Sequence, residues 1–200
     1  ARLGNKELMK VIAINGSARK DGNTAIIIKK VFDVLEKSGI KTELIQLAGH
    51  TIAGCRACYA CMKNKDRRCV IAGDIVNECI DKMSAAEGII LGSPVYFSDI
   101  SANLKAFIER AGYVSRANNY LFKHKAAAAV LAVRRGGAIH AFDTLNHFFH
   151  LNQMFLTGST YWNMVIGREI GEVENDPEGL SNMRNLGENM VVLLNKLRRE

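Results

Sequence analysis

Lys10-Val-Ile-Ala-Ile-Asn15-Gly-Ser-Ala-Arg-Lys-Asp-Gly-Asn-Thr24 is the stretch that decides the fold. Lys10 to Asn15 is a short apolar run with the length and β-branched content of a buried strand. The turn-prone residues Gly16 to Gly22 follow, and from Thr24 to Ser38 the apolar positions recur at helical spacing. The stretch reads as strand, loop and helix in succession, and the succession repeats. Thr42 to Leu47 is a second strand, a cysteine-bearing segment comes next, and Asp74 to Ser84 is helical. Gly88 to Gly92 is a buried strand before a helix from Ala102 to Tyr113. Ala126 to Val133 is a fourth strand, Ala138 to Asn152 a helix, Met164 to Gly167 a fifth strand, and Pro177 to Arg199 a closing helix. Apolar strands alternating with helices predict a doubly wound α/β fold: a five-stranded parallel sheet with helices on both faces. No repeat, low-complexity tract or linker interrupts the pattern. Residues 1–200 therefore read as a single domain, with a cysteine-rich insertion at about 53–74.

The composition agrees with a packed globular chain. Hydrophobic residues make up 48%, charged residues 24%, and there are 2 prolines, which excludes collagen-like, coiled-coil and disordered classes. No apolar run is long enough to span a bilayer, and Ala1 to Lys10 lacks the apolar core of a signal peptide, so a cytoplasmic protein without a membrane partner is expected. Lys and Arg number 27 against 20 Asp and Glu, a net charge of +7 that favours anionic partners. The densest basic runs are short: Lys123 to Lys125, Arg134-Arg135 and Arg198-Arg199. A nucleic-acid binder concentrates its charge more than this, so nucleic acid is not expected. A phosphorylated cofactor or an acidic protein partner accounts for the charge.

In a doubly wound sheet, ligands sit outside the carboxyl ends of the strands at a switch point, which directs attention to the loops after strands one, three and four. The first loop runs straight into a helix, whose free N–H groups and dipole favour an anion. Ser17, Asn23 and Thr24 offer hydroxyl and amide donors, Arg19 a charged one, and Gly16 and Gly22 let the backbone curl. Helix capping alone would not need so many donors. Neither G-x-G-x-x-G nor G-x-x-x-x-G-K-[ST] occurs, so a single phosphate on a mononucleotide suits the loop better than a dinucleotide or a nucleoside triphosphate. The second loop places Pro94, Val95, Tyr96 and Phe97 at the same edge, where they border a flat ring or merely plug the end of the sheet. In the third, Arg135 could neutralise phosphate or an electron-rich ring, and Gly136 and Gly137 permit close backbone approach or simply turn the chain.

Five cysteines are present, and four lie between Cys55 and Cys69. An odd count in a chain of this size argues for thiols that serve a metal, a cluster or redox chemistry rather than disulfides. Cys79, alone on a helix, reads as core. His140, Asp143, His147 and His150 share one helical face, opposite Phe142, Leu145 and Phe149. They read as a solvated face or subunit contact rather than a metal site. No Ser-His-Asp or paired-carboxylate constellation can be assigned, so no catalytic side chain is named.

Three segments in this order resemble the NADPH-dependent FMN reductase group of flavodoxin-like proteins. They are Asn15-Gly-Ser-x-Arg19-x-x-Gly22-Asn23-Thr24, then Ser93-Pro-Val-Tyr-Phe with Asn103-Leu-Lys-Ala-Phe-Ile-Glu-Arg110, and Arg135-Gly-Gly with Trp162. The resemblance implies that the first loop holds the phosphate of FMN and that the second and third border its ring. The implied cofactor-binding residues are Ser17, Arg19, Gly22, Asn23, Thr24, Pro94, Val95, Tyr96, Phe97, Arg135, Gly136 and Gly137. Backbone N–H groups of the Tyr96 and Gly136 loops would then stabilise the reduced ring.

Cys55-x2-Cys58-x2-Cys61-x7-Cys69 further resembles the motif of the iron-sulfur flavoprotein branch, which implies a 4Fe-4S cluster on these four thiolates. Zinc and a metal-free loop remain as alternatives, with zinc less suited to three cysteines at x2 spacing. The implied function is an FMN-dependent oxidoreductase. It takes electrons from NAD(P)H or an acidic ferredoxin and reduces a flavin, quinone or other small acceptor. The alternative is an electron carrier without substrate turnover. The resemblance implies a homodimer or homotetramer, to which Phe148-Phe149 with Phe155 are expected to supply contact area.

Overall fold

The computed structural model describes residues 8–198. Most of the Ala1-to-Lys10 opening, and Arg199 of the last basic pair, lie outside the described residues. Strands β1 (Lys10–Asn15), β2 (Lys41–Gln46), β3 (Gly88–Pro94) and β4 (Ala126–Val133) alternate with helices α1 (Asn23–Lys37), α2 (Ala60–Asn64), α3 (Val76–Ala85) and α4 (Ala102–Ala117). They are followed by α5 (Ala138–Leu151), β5 (Phe155–Leu156), β6 (Met164–Ile166), a 3-10 turn at Glu172–Asn175, and α6 (Pro177–Leu197).

All strand pairings are parallel, in the order β2-β1-β3-β4, with the fifth position shared by two segments. β5 pairs with Ala126 and Ala127 at the start of β4, and β6 with Leu131 to Val133 at its end. Sequence periodicity located β6 but not β5, which is two residues long and exposed and so carries no pattern to read. The chain leaves β1 for β2 on one side and returns for β3 on the other. The crevice at the carboxyl ends of β1 and β3 is therefore the switch point.

Alternation along β1 feeds two cores. Ile12 and Ile14 face α3, α4 and α5, where Met83, Leu104 and Phe107 are buried. Val11 and Ala13 face α1 and α6 on the other side. α1 buries Ile27, Ile28, Val31 and Leu35, and α6 buries Met183, Leu186, Met190 and Leu194, each set along one stripe. Each such side chain stabilises the fold by roughly 1.5–3 kcal/mol relative to exposure. Phe148 and Phe149 belong to the first core, at 8% and 0% exposure. They are packing residues, which corrects the expectation that they form a subunit contact; Phe155 stays 42% exposed. Among the described residues no helix is long and apolar enough to cross a membrane.

Two local devices fix the ends of α4 and α6. Ser101 caps α4 by accepting from the Leu104 N–H, and Asp176 caps α6 by accepting from the Gly179 N–H at 2.9 Å, with Pro177 in the first turn. α3 begins two residues later than its apolar period suggests. The Asp74 side chain accepts from the Val76 N–H and pairs with Arg110, holding residue 74 outside the helix.

α1 lies close over β3 because residue 92 is glycine. A Cβ there would stand 2.6 Å from Ile28 Cδ1 and 3.0 Å from Thr24 Cγ2. Gly92→Ala should therefore cost about 1–3 kcal/mol by overpacking. In urea unfolding, the expected outcome is a lower midpoint with an unchanged slope.

Candidate functional site

Four loops meet above the β1–β3 crevice. In the first, the Asn15 Oδ1 accepts from the Ser17 N–H at 2.9 Å, and Ser17 Oγ from the Arg19 N–H at 3.1 Å, which winds the loop into a compact turn. Its floor is tied to β3, since the Gly16 N–H donates to Gly92 O at 2.8 Å. It is also tied to α4, since the Ser101 hydroxyl donates to Gly16 O at 2.6 Å. α1 then starts at Asn23 without a side-chain cap and without an acidic residue in its first turn. Its leading N–H groups have no intrahelical partners. Ser17 and Thr24 are buried beside them. The end is electropositive and lined with donors, the arrangement that holds a phosphate. Below it, the buried Asn15 Nδ2 and Gln46 Oε1, on register-paired residues of β1 and β2, have no hydrogen-bond partner.

Asn23 does something its sequence context did not disclose. Its Nδ2 donates to Glu169 O at 2.8 Å and its Oδ1 accepts from the Gly171 N–H at 2.8 Å. The side-chain amide expected to donate to a ligand instead fastens a fourth loop, after β6, against α1. Only the backbone N–H of Asn23 remains for a ligand. Arg19 reaches the same loop, its Nη1 lying 3.5 Å from Arg168 O. Glu172 braces it by accepting from the Arg168 and Glu169 N–H groups, and these bonds hold its carboxyl below the usual range. Sequence reading passed over this loop. Gly167 and Gly171 just beyond the fifth strand were the available signal.

The second loop folds into a tight turn in which Tyr96 and Asp99 exchange backbone hydrogen bonds of 2.8 and 3.0 Å. Its central residues, Phe97 and Ser98, both have positive φ, 49° and 63°. For residues other than glycine that costs about 1 kcal/mol or more each. Phe97 is fully exposed and Tyr96 is 46% exposed, so neither plugs the sheet. Within the Tyr96 loop, the Tyr96 N–H donates to Asp99 O and the Val95 N–H to Ala132 O. Pro94 closes β3 and has no N–H. The Phe97 and Ser98 amides at the tip of the turn have no such backbone partner.

The third loop rests on this tip. Gly137 has φ +85°, and a Cβ there would stand 2.8 Å from Ser98 Oγ and 2.9 Å from Ser98 Cα, so only glycine fits. A Cβ at Gly136 would meet nothing within 4 Å, so the chain's own packing does not require that glycine. Arg135 is exposed beside it. His140, on the first turn of α5, lies 3.9 Å from Asp99 Oδ2. The other members of that stripe, Asp143, His147 and His150, are exposed. Tyr161 and Trp162 pack edge to face at 4.5 Å between β5 and β6, about half exposed.

The cysteine segment forms a second site beside the middle of α4. Cys55, Cys58, Cys61 and Cys69 line one hollow together with Arg110 and Tyr113. Its backbone coils through positive φ at Ala57, Tyr59, Lys65 and Arg67. All the thiols are free. Burial pushes the Cys61 thiol up, and the neighbouring Cys69 and Cys55 push it the same way. A cationic centre between them would relieve that crowding. Among the described residues, no three His, Cys, Asp or Glu side chains converge as a single metal ion requires. Zinc needs such convergence, with sulfurs about 2.3 Å from one centre. A cubane needs its four thiolates around one cluster, each on a different iron.

Residues 9–168 match the family described as NADPH-dependent FMN reductase. The chain is 34% identical over 196 residues to an iron-sulfur flavoprotein of Methanocaldococcus jannaschii, covering 96% of this chain and 100% of that one. It is 33% identical over 152 residues to an iron-sulfur flavoprotein of Methanosarcina thermophila, covering 75% and 78%. Among solved structures, a flavodoxin from the domain Archaea superposes with a TM-score of 0.60 at 14% identity, covering 94% of this chain and 99% of that one. This likeness, with the strand order, makes the fold flavodoxin-like.

The thiols differ enough to be told apart chemically. Cys58 is exposed, whereas Cys79 is buried in the core and its thiol is pushed up to about 12, chiefly by burial. Cys79 therefore stays a thiol at about pH 8. In metal-free, reduced protein, a thiol reagent should modify four cysteines, Cys58 fastest, and reach Cys79 only on unfolding. Peptide mapping after timed alkylation gives the order.

Proposed function

The chain belongs to the NADPH-dependent FMN reductase family, and from that premise we propose that it is an FMN-dependent oxidoreductase of the iron-sulfur flavoprotein type. The observation that carries the reading is the uncapped N-terminus of α1 at the β1–β3 switch point, with the buried Ser17 and Thr24 hydroxyls beside it. A phosphate held there receives backbone N–H groups from Asn23 onward, the hydroxyls, and the Arg19 guanidinium at the rim. Gly22 brings the chain into that first turn.

Pro94, Val95, Tyr96 and Phe97 border the flat ring on one side, and Arg135, Gly136 and Gly137 on the other. The amides of Phe97 and Ser98, which have no backbone acceptor, would donate to its polar edge. Bound FMN supplies both two-electron and one-electron transfer. The protein's own residues bind it, orient it and leave one side open to a partner. Cys55, Cys58, Cys61 and Cys69 would hold a 4Fe-4S cluster, which supplies one-electron transfer. α4 links the two sites. From Ser101, bonded to the first loop, to Arg110, bonded to the cysteine segment, the helix rises about 13 Å.

Electrons would enter as hydride from NAD(P)H or singly from an acidic ferredoxin, and leave to a flavin, quinone or other small acceptor. The net charge of +7 favours the acidic donor, and screening should slow that route as salt rises.

Fluorescence titration tests the phosphate assignment. FMN should bind at least about tenfold more tightly than riboflavin, and Ser17→Ala should weaken FMN by about tenfold, roughly 1.4 kcal/mol, while leaving riboflavin unchanged. Equal affinity for FMN and riboflavin would overturn the assignment. Steady-state oxidation of NADH or NADPH with a quinone or added FMN separates an oxidoreductase from a carrier, since a carrier shows none.

A further inference from the structure

We propose that Arg110 is the positioning residue of the cysteine site, fixing Cys69 as the fourth thiol ligand and raising the electron affinity of a cluster bound there through an N–H···S hydrogen bond. The inference rests on the iron-sulfur reading and goes beyond it by assigning a role to a residue outside the cysteine motif. Arg110 is fully buried, which is rare for a guanidinium. All five of its N–H donors are engaged. Nε donates to Cys69 Sγ at 3.3 Å. Nη1 donates to Ala53 O at 3.4 Å and to Asp74 Oδ2. Nη2 donates to Ile71 O at 2.7 Å and to Asp74 Oδ1 at 3.2 Å.

One side chain on a rigid helix thus grips both ends of the 53–74 insertion. The adjacent Glu109 adds a contact, its Oε2 lying 3.4 Å from the Cys55 N. Cys69 is the cysteine most in need of this. It is separated from the other three by the x7 gap. Its backbone is clamped by Asn77, which accepts from its N–H at 2.8 Å and donates to its carbonyl at 2.9 Å, and Arg110 then fixes the sulfur.

Loop closure alone does not explain the arrangement. A buried Arg–Asp pair gives little net stability over apolar side chains of the same volume, so its presence points to a specific task. The Nε donor meets a sulfur where a carbonyl would have satisfied it equally well. Positive charge and a hydrogen bond at a ligating sulfur favour the reduced, more negative state of a cluster.

The test compares wild type, Arg110→Lys, and the double variant Arg110→Gln with Asp74→Asn, which leaves no buried charge unpaired. Each is reconstituted anaerobically with iron and sulfide, then measured for iron, sulfide and FMN per chain, for iron loss to a chelator, and for the potential at which an EPR-detected cluster is reduced. Wild type should hold about four irons and four sulfides. Both variants should keep FMN, lose iron about fivefold faster or more, and be reduced only at a lower potential, the double variant lowest. Loss of FMN from the double variant would mark misfolding, and Arg110→Lys then decides alone. Variants with the wild-type potential and rate of iron loss would overturn the role of Arg110. Wild type that binds FMN but no iron and sulfide would overturn the iron-sulfur reading itself.

Discussion

Parallel pairing of β1 with both β2 and β3 is the constraint from which the rest of the architecture follows. Parallel neighbours cannot be joined by a hairpin, so the connections between neighbouring positions cross a face of the sheet and the carboxyl ends open on one edge. The loops after β1, β3, β4 and β6 are thereby gathered although nearly 150 residues separate Asn23 from Gly171. The crossover from β1 must also deliver α1 with its N-terminus over the switch point. Gly92 permits this by letting Ile28 and Thr24 lie against β3.

α4 is the second organising element, and it works through polar contacts. Its capping residue Ser101 serves two partners, accepting from Leu104 and donating to Gly16 O. Two turns further on, Arg110 engages the cysteine segment. The two candidate sites are therefore held by the same helix, and neither is built on a free loop. Among the described residues, ten that are not glycine have positive φ, and six of them lie in the cysteine segment and the Tyr96–Asp99 turn. Backbone strain concentrated at such places is compatible with a binding role, because the surrounding packing must hold those residues against their own preference.

The main elements were legible in the sequence because burial imposes periodicity. β4 spans Ala126–Val133 as its apolar run indicates, and the strand-to-helix alternation suffices for a doubly wound sheet. The failures fall where burial leaves no such mark. β5 is exposed, α2 is a single short turn flanked by left-handed residues, and Asp74 is drawn out of α3 by a partner 36 residues away. Phe148 and Phe149, apolar and adjacent, look the same in sequence whether they meet a neighbour or the core. The structure places them in the core.

The sequence by itself determined the sheet, the three principal loops at its carboxyl edge and the clustering of four thiols, because each depends on local pattern or spacing. Tertiary structure decided which donors remain for a ligand. The Asn23 amide fastens the loop after β6, the Tyr96 N–H closes its own turn, and the Phe97 and Ser98 amides are left at the tip. It also decided that Arg110, unremarkable on a helix, reaches Cys69. Hydrogen-bonding capacity can be counted in a sequence, but each donor goes to whichever acceptor folding brings within about 3 Å, and only the folded chain fixes that.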